Sequence, residues 1–252
     1  MNRLRQDPEE RRLEALPRFH PTETTFLGRR LEVPDAATYL ASRREIFDKG
    51  VYRFAAARPA PRIIDCGANI GMATIYFKTN HPDARVTAFE PDPRLFSALR
   101  KNVAAFGFAD VALRQEAVWV HNDTLNFHQE GGHSGRLARA DDANLIQTRC
   151  ARLRDLLDEK IDFLKVDVEG VELELLTDCA DALGTVEQLF VEYHAFADRP
   201  QRLDELLRLL RKAGFRYDIQ EEFSSPHPFV EIRTQVNFDL QLSISCYRPK
   251  VR

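Results

Sequence analysis

The stretch Asp65-Cys66-Gly67-Ala68-Asn69-Ile70-Gly71-Met72-Ala73-Thr74 decides the fold of this chain. A short run, Arg62-Ile63-Ile64, precedes it, and a helix-like apolar pattern begins at Met72. This order predicts a strand, a glycine-rich turn and a helix whose first backbone N–H groups are free to bind a ligand. A second predicted strand, 85–90, ends at Glu90. A carboxylate at that position can accept hydrogen bonds from two ribose hydroxyls.

The glycine spacing indicates which ligand the turn suits. Gly67 and Gly71 are spaced G-x-x-x-G, whereas a dinucleotide fingerprint reads G-x-G-x-x-G and lets a pyrophosphate approach the backbone. Asp65 precedes the first glycine, and an anion pointing into the turn would repel a pyrophosphate but suit an ammonium group. S-adenosylmethionine (SAM) carries an ammonium, a carboxylate and a ribose, and no phosphate. The sequence therefore favours SAM and disfavours a nicotinamide dehydrogenase.

The composition is typical of a soluble globular protein. The chain has 252 residues, 44% of them hydrophobic and 30% charged, with a formal net charge of −3. A nucleic-acid-binding surface usually needs a basic surplus, so no nucleic-acid partner is expected. The four cysteines form no C-x-x-C pair, the charged N-terminus lacks a secretory signal, and no run approaches a membrane span. A cytoplasmic protein with reduced thiols is expected, of undetermined oligomeric state.

Strand and helix patterns alternate from residue 61 onward. Strands are predicted at 62–65, 85–90, 111–118, 163–167, 188–193, 215–219 and 240–246, with helical patterns between most of them. This alternation predicts an α/β fold with a mostly parallel sheet and helices on both faces. Residues 61–252 are assigned to this domain. Residues 1–60 are assigned to an N-terminal extension or cap that packs beside this domain.

Acidic residues stand at the ends of the first five predicted strands. Ligands bind at the carboxyl ends of the strands in open parallel sheets, so these ends predict one site. They are Asp65, Glu90, Glu116 with Ala117, Asp167, and Glu192 with His194. His194 follows an apolar strand, and its unperturbed pKa lies near neutrality, as a general base requires.

Two further segments contribute candidate residues. In Lys165-Val166-Asp167-Val168-Glu169-Gly170-Val171-Glu172, Asp167 is expected at a strand end and Glu169 in the following turn. Glu172 falls in the first turn of a helix, where an acid also compensates the helix dipole. The glycine-rich residues 130–136 predict a mobile flap over the ligand, with polar contacts from His133 and Ser134.

Three stretches together, 65–71, Phe89-Glu90-Pro91 and 165–172, resemble the FkbM family of SAM-dependent methyltransferases. The resemblance covers about residues 60–215. It implies a class I SAM-methyltransferase fold, which is Rossmann-like, with a seven-stranded sheet whose last strand is antiparallel. It also implies O-methylation of a hydroxyl, typically on a sugar or a polyketide-type natural product. By the same resemblance, Asp65, Gly67, Asn69 and Gly71 form the SAM loop, Glu90 binds the ribose, and Glu116 and Ala117 lie beside the adenine.

The resulting hypothesis is a SAM-dependent O-methyltransferase that acts on a small-molecule or saccharide acceptor. We expect residues 1–60 to lie on the acceptor side and Glu169, with His133 and Ser134 of the flap, to contact the acceptor. Asp167, Glu192 and His194 are expected beside the methyl group, with Asp167 also near the cofactor. His194, supported by Asp167 or Glu192, is the expected general base. A second hypothesis is a metal-dependent sugar O-methyltransferase, in which Asp167, Glu169, Glu192 and His194 bind Mg²⁺ or Mn²⁺. A third is a non-catalytic SAM-binding module, against which the complete set of acids argues.

Overall fold

The structure is a computed structural model that describes residues 7–130, 134–137, 145–235 and 237–249. Its N-terminal part consists of α1 (Pro8–Glu14), β1 (Thr22–Phe26), β2 (Arg29–Val33), α2 (Ala36–Arg43) and a π-helical turn (Arg44–Lys49). There follow β3 (Arg62–Cys66), α3 (Met72–Asn80), β4 (Arg85–Phe89), α4 (Pro93–Ala105), β5 (Ala112–Arg114), β6 (Ala117–Trp119), β7 (Thr124–Glu130), β8 (Ser134–Leu137) and β9 (Leu145–Arg152). The last elements are α5 (Leu153–Leu156), β10 (Phe163–Val166), α6 (Glu172–Asp178), a 3₁₀ turn (Leu183–Thr185), β11 (Gln188–Phe196), α7 (Leu203–Lys212), β12 (Arg216–Phe223) and β13 (Phe238–Tyr247).

A seven-stranded sheet forms the centre, in the order β12-β13-β11-β10-β3-β4-β5. The five strands from β11 to β5 are parallel, and β13 is antiparallel to both of its neighbours. The predicted α/β class, the mostly parallel sheet and the antiparallel last strand are confirmed. The order reverses between β3 and β10, whose carboxyl ends therefore frame the crevice in which such sheets bind ligands.

The predicted third strand, 111–118, is two strands in the structure. β5 stays in the central sheet, whereas β6 pairs in parallel with β9 and joins a second, four-stranded sheet, β6-β9-β7-β8. Alternating apolar residues predict extended chain but not its partner, so the sequence could not reveal this change of sheet. Ser134 begins β8, which pairs with β7, rather than lying in a loop. His133 and the centre of the predicted flap, 131–133, lie outside the described residues.

The N-terminal part shares a hydrophobic core with α3 and one face of the sheet. Tyr52, which follows the π-helical turn, is buried, and its ring centroid lies 5.6 Å from that of Phe77 and 4.9 Å from that of Phe190. Phe47 contacts Tyr76 of α3 with centroids 5.3 Å apart. These aromatic contacts hold the cap against the helix that follows the glycine-rich turn. No helix in the described ranges is long and apolar enough to cross a membrane.

The glycine-rich turn passes very close to the end of β10. Gly67 has φ +84°, and a Cβ atom added there would lie 1.9 Å from the backbone oxygen of Asp167. Asn69 has φ +50° and Gly71 has φ +94°. The turn thus needs glycine at position 67 for two reasons, the left-handed conformation and the close contact.

We predict that Gly67→Ala lowers the free energy of unfolding by about 3 kcal/mol or more, since it adds overpacking against backbone to left-handed strain. Gly107→Ala is a matched control, because Gly107 has φ +77° and nothing within 4 Å of an added Cβ. It should cost only about 1–2 kcal/mol. Urea unfolding of both variants measures the difference, and equal losses would show that the contact with Asp167 is unimportant.

Candidate active site

A cavity of about 330 Å³ lies between the glycine-rich turn and the N-terminal cap. The turn from Gly67 to Ala73 forms one wall, and Glu45 and Tyr52 belong to the cap wall. Lys165, Asp167, Glu169 and Glu192, from the ends of β10 and β11, also line it. The structure therefore brings together the strand ends that the sequence singled out near β3, β10 and β11. A larger cavity, of about 710 Å³, lies beside Phe19, Val33 and Arg94, and these strand-end acids do not line it.

Asp65 does not point into the turn as expected. Its side chain is fully buried, and its Oδ2 accepts a hydrogen bond from the Thr74 hydroxyl at 2.7 Å. Its Oδ1 lies 3.5 Å from Lys165 Nζ. The register of β3 and β10 explains this placement, because Lys165 is directly opposite Asp65 in the parallel pair. The charge of Asp65 is therefore balanced inside the protein, and direct contact between its carboxylate and a ligand stays a prediction.

Lys165 is the internal cation of the site. Its Nζ donates to Gly67 O at 2.8 Å, to Cys66 O at 3.4 Å and to Asp167 Oδ2 at 3.0 Å. Burial alone would lower the pKa of Lys165, but the carboxylates of Asp167 and Asp65 hold its pKa well above the usual value. The ammonium is thus charged, and it ties the glycine-rich turn to the carboxylate at the end of β10.

Glu90 anchors the other end of the same turn. It is buried, and its carboxylate accepts hydrogen bonds from Asn69 N and Asp92 N, both at 2.9 Å. Burial raises the pKa of Glu90 to about 8, although the two backbone donors oppose this shift. The carboxylate is therefore fixed in place beside the turn, in the position predicted from the second strand end.

His194 is buried on β11, and its hydrogen-bond partner is Glu172. From the sequence, Glu172 was interpreted only as an acid that compensates the helix dipole. Its Nδ1 lies 3.0 Å from Glu172 Oε1, and the same oxygen accepts the Gly170 N–H at 2.8 Å. Asp167 and Glu192 were the expected supports. The structure instead gives this contact to Glu172, because the turn at Glu169 and Gly170 has positive φ and brings the start of α6 back over β11.

Carboxylates surround the other nitrogen of His194. Nε2 lies 3.6 Å from Glu169 Oε2 and 3.8 Å from Glu192 Oε1. Burial alone would lower the pKa of His194, but Glu169, Glu172 and Glu192 raise it well above its usual value. Burial and the charge of Asp167 likewise raise the pKa of Glu192, which accepts a hydrogen bond from Gln241 Nε2.

Asp167, Glu192 and His194 lie close enough to act together. One ligand atom from each falls within 4.8 Å of the others. This is the geometry expected either for a shared proton or for a bound cation. The three residues of the predicted catalytic set are therefore neighbours, and their role in catalysis stays a prediction.

The adenine candidates lie apart from this cluster. Glu116 follows β5 and pairs with Arg114 at 2.5 Å, while Ala117 is buried at the start of β6. Their proximity to a ligand stays a prediction.

Three residues near the site were not proposed from the sequence. Lys165 had a signal, since a charged residue inside an apolar strand next to Asp167 needs a buried partner. Glu172 was named in the sequence analysis, but its position in the first turn of a helix was explained by compensation of the helix dipole. Glu45 had no signal, because only tertiary packing brings the cap to the cavity.

Comparisons with known proteins agree with this geometry. A family model described as the methyltransferase FkbM domain matches residues 65–217, more than half of the chain. The 31-O-demethyl-FK506 methyltransferase FkbM of Streptomyces tacrolimicus is 31% identical over 210 residues, or 68% of this chain and 80% of FkbM. Methyltransferase sdnD of Sordaria araneosa is 30% identical over 170 residues, or 53% of this chain and 66% of sdnD.

A solved structure supports the fold alone. Trm5b from Pyrococcus abyssi superposes with a TM-score of 0.51 at 12% sequence identity, covering 90% of this chain and 55% of Trm5b.

The fold and the strand-end site define a class I SAM-dependent methyltransferase. Within that class, the chain belongs to the FkbM methyltransferase family. The predicted family, enzyme class and cofactor are thereby confirmed.

Buried acids in this site give a testable pH dependence. The pKa of Glu90 is raised to about 8 and that of Glu45 to about 7. Between pH 5 and 8 the folded state therefore binds more protons than the unfolded state, so stability falls as pH rises. One such group contributes a slope of up to about 1.4 kcal/mol per pH unit. Glu90→Gln should flatten this fall in urea unfolding at pH 5.5, 7 and 8.5; parallel curves for the two proteins would contradict the assignment.

Proposed function

We propose that this protein transfers the methyl group of SAM to a hydroxyl oxygen of a small-molecule acceptor. The observation that carries the proposal is the fixed imidazole of His194, held at Nδ1 by Glu172 and directed at Nε2 toward Glu169 and Glu192. This arrangement leaves Nε2 facing Glu169 and Glu192, which both line the cavity. It lies at the same edge of the sheet as the glycine-rich turn.

The residues at the turn fit the cofactor. Gly67 and Asn69 line the cavity, and Gly71 is the N-cap of α3, so a ligand in the cavity would lie against the turn at the start of this helix. Glu90, fixed by two backbone donors, would hold the ribose hydroxyls, and Glu116 and Ala117 would flank the adenine. Bound there, SAM supplies a methyl group already activated by its sulfonium. The protein then has to hold the acceptor oxygen about 3 Å from that methyl and remove a proton.

His194 can remove that proton only in its neutral form. Because surrounding carboxylates raise the pKa of His194 well above its usual value, the imidazole is charged at neutral pH in the free protein. Activity should therefore rise with pH through the alkaline range as His194 deprotonates. Glu172 fixes the tautomer by accepting the Nδ1 proton, so that Nε2 becomes the base.

The name of one relative supports the acceptor class. FkbM is a 31-O-demethyl-FK506 methyltransferase by name, which refers to a methyl group on an oxygen. We propose a hydroxyl on a sugar or polyketide-type molecule for this chain too, with residues 1–60 on the acceptor side. Ser134 and Glu169 would contribute polar contacts there, as would His133, which lies outside the described residues.

A second candidate function uses a divalent cation. Asp167, Glu192 and His194 offer ligand atoms within 4.8 Å of one another, and Glu169 lies 3.6 Å from His194 Nε2. Carboxylate oxygens and a neutral imidazole are suitable ligands for Mg²⁺ or Mn²⁺. A metal at this position would orient vicinal hydroxyls of the acceptor.

We predict that Glu90→Ala weakens SAM binding at least about 10-fold, because a charge-assisted hydrogen bond is worth about 1.5–3 kcal/mol. Calorimetry at pH 9, where Glu90 is ionised despite its raised pKa, measures this loss. The control ligand is S-adenosylhomocysteine without its two ribose hydroxyls, which should bind Glu90→Ala and the wild type equally. Equal losses with both ligands would show that Glu90 acts only by holding the turn.

We further predict that His194→Ala keeps its affinity for SAM and lowers turnover by about 10²–10⁴-fold, the range for loss of a general base. Glu172→Gln should move the rise of the pH–rate profile to lower pH, since it removes a carboxylate that raises the pKa of His194. Release of S-adenosylhomocysteine is followed with 31-O-demethyl-FK506 and with methyl glycosides. Transfer to amines but not to any hydroxyl would refute O-methylation.

The same assay separates the base from the metal. If a cation is required, chelation abolishes wild-type activity and added Mg²⁺ or Mn²⁺ restores it. A wild-type rate that is unchanged by chelation supports His194 as the general base. Near-normal turnover by His194→Ala, both with chelator and with added metal, rejects His194 as a general base and as a metal ligand.

A further inference from the structure

Glu45 is an acid of the cap that reaches the active-site cavity. It lies in the π-helical turn Arg44–Lys49 and lines the cavity opposite the glycine-rich turn. Its Oε1 is buried and has no hydrogen-bond partner among the described residues. A buried carboxylate oxygen without a hydrogen-bond donor costs free energy. This suggests that a donor from a ligand satisfies it.

The electrostatic surroundings show what kind of partner is missing. Burial, together with the negative charges of Glu222 and Asp167, raises the pKa of Glu45 to about 7, and Lys49 and Lys165 oppose this shift only in part. The carboxylate is therefore destabilised by other acids around the cavity. A cationic donor would satisfy Oε1 and relieve the repulsion at once.

The turn itself is held firmly in place. Two residues after Glu45, Phe47 contacts Phe26 with ring centroids 4.6 Å apart and Tyr76 of α3 at 5.3 Å. The turn ends at Gly50, which has φ +71°. Packing on both sides thus holds Glu45 at the cavity that the glycine-rich turn also lines.

The carboxylate that the sequence assigned to the cofactor ammonium is fully buried. Asp65 Oδ2 accepts a hydrogen bond from the Thr74 hydroxyl, and Asp65 Oδ1 lies 3.5 Å from Lys165 Nζ, which donates to Gly67 O and Asp167 Oδ2. We propose that Glu45 accepts a hydrogen bond from the α-ammonium group of SAM, so that the cap completes the cofactor site. The inference rests on the proposed binding of SAM at the glycine-rich turn.

Two ligands that differ in the amino-acid portion test this role without an acceptor. S-adenosylhomocysteine carries the α-ammonium, whereas 5′-methylthioadenosine keeps the nucleoside and lacks the amino acid. By calorimetry at pH 8, Glu45→Gln should weaken S-adenosylhomocysteine about 5- to 10-fold, the difference between a charged and a neutral hydrogen bond. Its affinity for 5′-methylthioadenosine should equal that of the wild type.

A neighbouring acid provides the control. Asp48 lies on the same turn with a side chain 60% exposed, and Asp48→Asn should change neither affinity. The melting temperature of ligand-free Glu45→Gln should not fall, because the substitution removes a buried, unpartnered charge. A general loosening of the cap would instead lower both affinities.

The outcomes are distinct. Unchanged affinity of Glu45→Gln for S-adenosylhomocysteine overturns the proposal, because Glu45 then does not bind the cofactor ammonium. Equal weakening of both ligands overturns it in favour of a structural role. Failure of the wild type to bind S-adenosylhomocysteine would refute the proposed cofactor site itself, which is a different result from either.

Discussion

The ammonium of Lys165 lies between the buried carboxylate of Asp65, the half-buried carboxylate of Asp167 and two backbone carbonyls, and the arrangement of the site depends on it. Asp65 and Lys165 face each other in the parallel pair of β3 and β10, and Asp167 follows two residues later. Two carboxylates this close in a region of low dielectric would repel each other strongly without a cation between them. Because the same ammonium holds the Gly67 carbonyl, charge balance and the position of the cofactor turn are set by one side chain.

The other acids in and around the cavity make the site favourable for positive charge. Glu45, Glu90 and Glu192 have raised pKa values, and His194 retains its proton beside three carboxylates. Each of these shifts has burial or a neighbouring carboxylate as its cause. A ligand that carries a positive charge therefore reduces the repulsion between these acids when it binds. That requirement suits SAM far better than a pyrophosphate, and it also explains why a divalent metal remains a competing occupant.

The sequence predicted those features that follow from the order of residues along the chain. Strand, glycine turn and helix at 62–80 are local, and the acids at the strand ends become neighbours by the general rule for parallel sheets. The sequence did not predict the contacts that depend on tertiary packing. Asp65 is turned inward by a lysine opposite it on another strand, Glu172 reaches His194 through a left-handed turn, and β6 leaves the central sheet to pair with β9. Glu45 could not be foreseen, since nothing in its own segment marks the cavity it faces.

The shared core of the cap and α3 also affects how this family can diversify. The family model begins at residue 65, so the segment that carries Glu45 and Tyr52 lies outside it. That segment nevertheless packs its rings against Phe77 and Tyr76, in the helix that presents the cofactor turn. A chimera that exchanges this segment between relatives would bring in a mismatched ring surface and leave voids against α3. Single substitutions in this segment should therefore be tolerated more readily than its wholesale exchange.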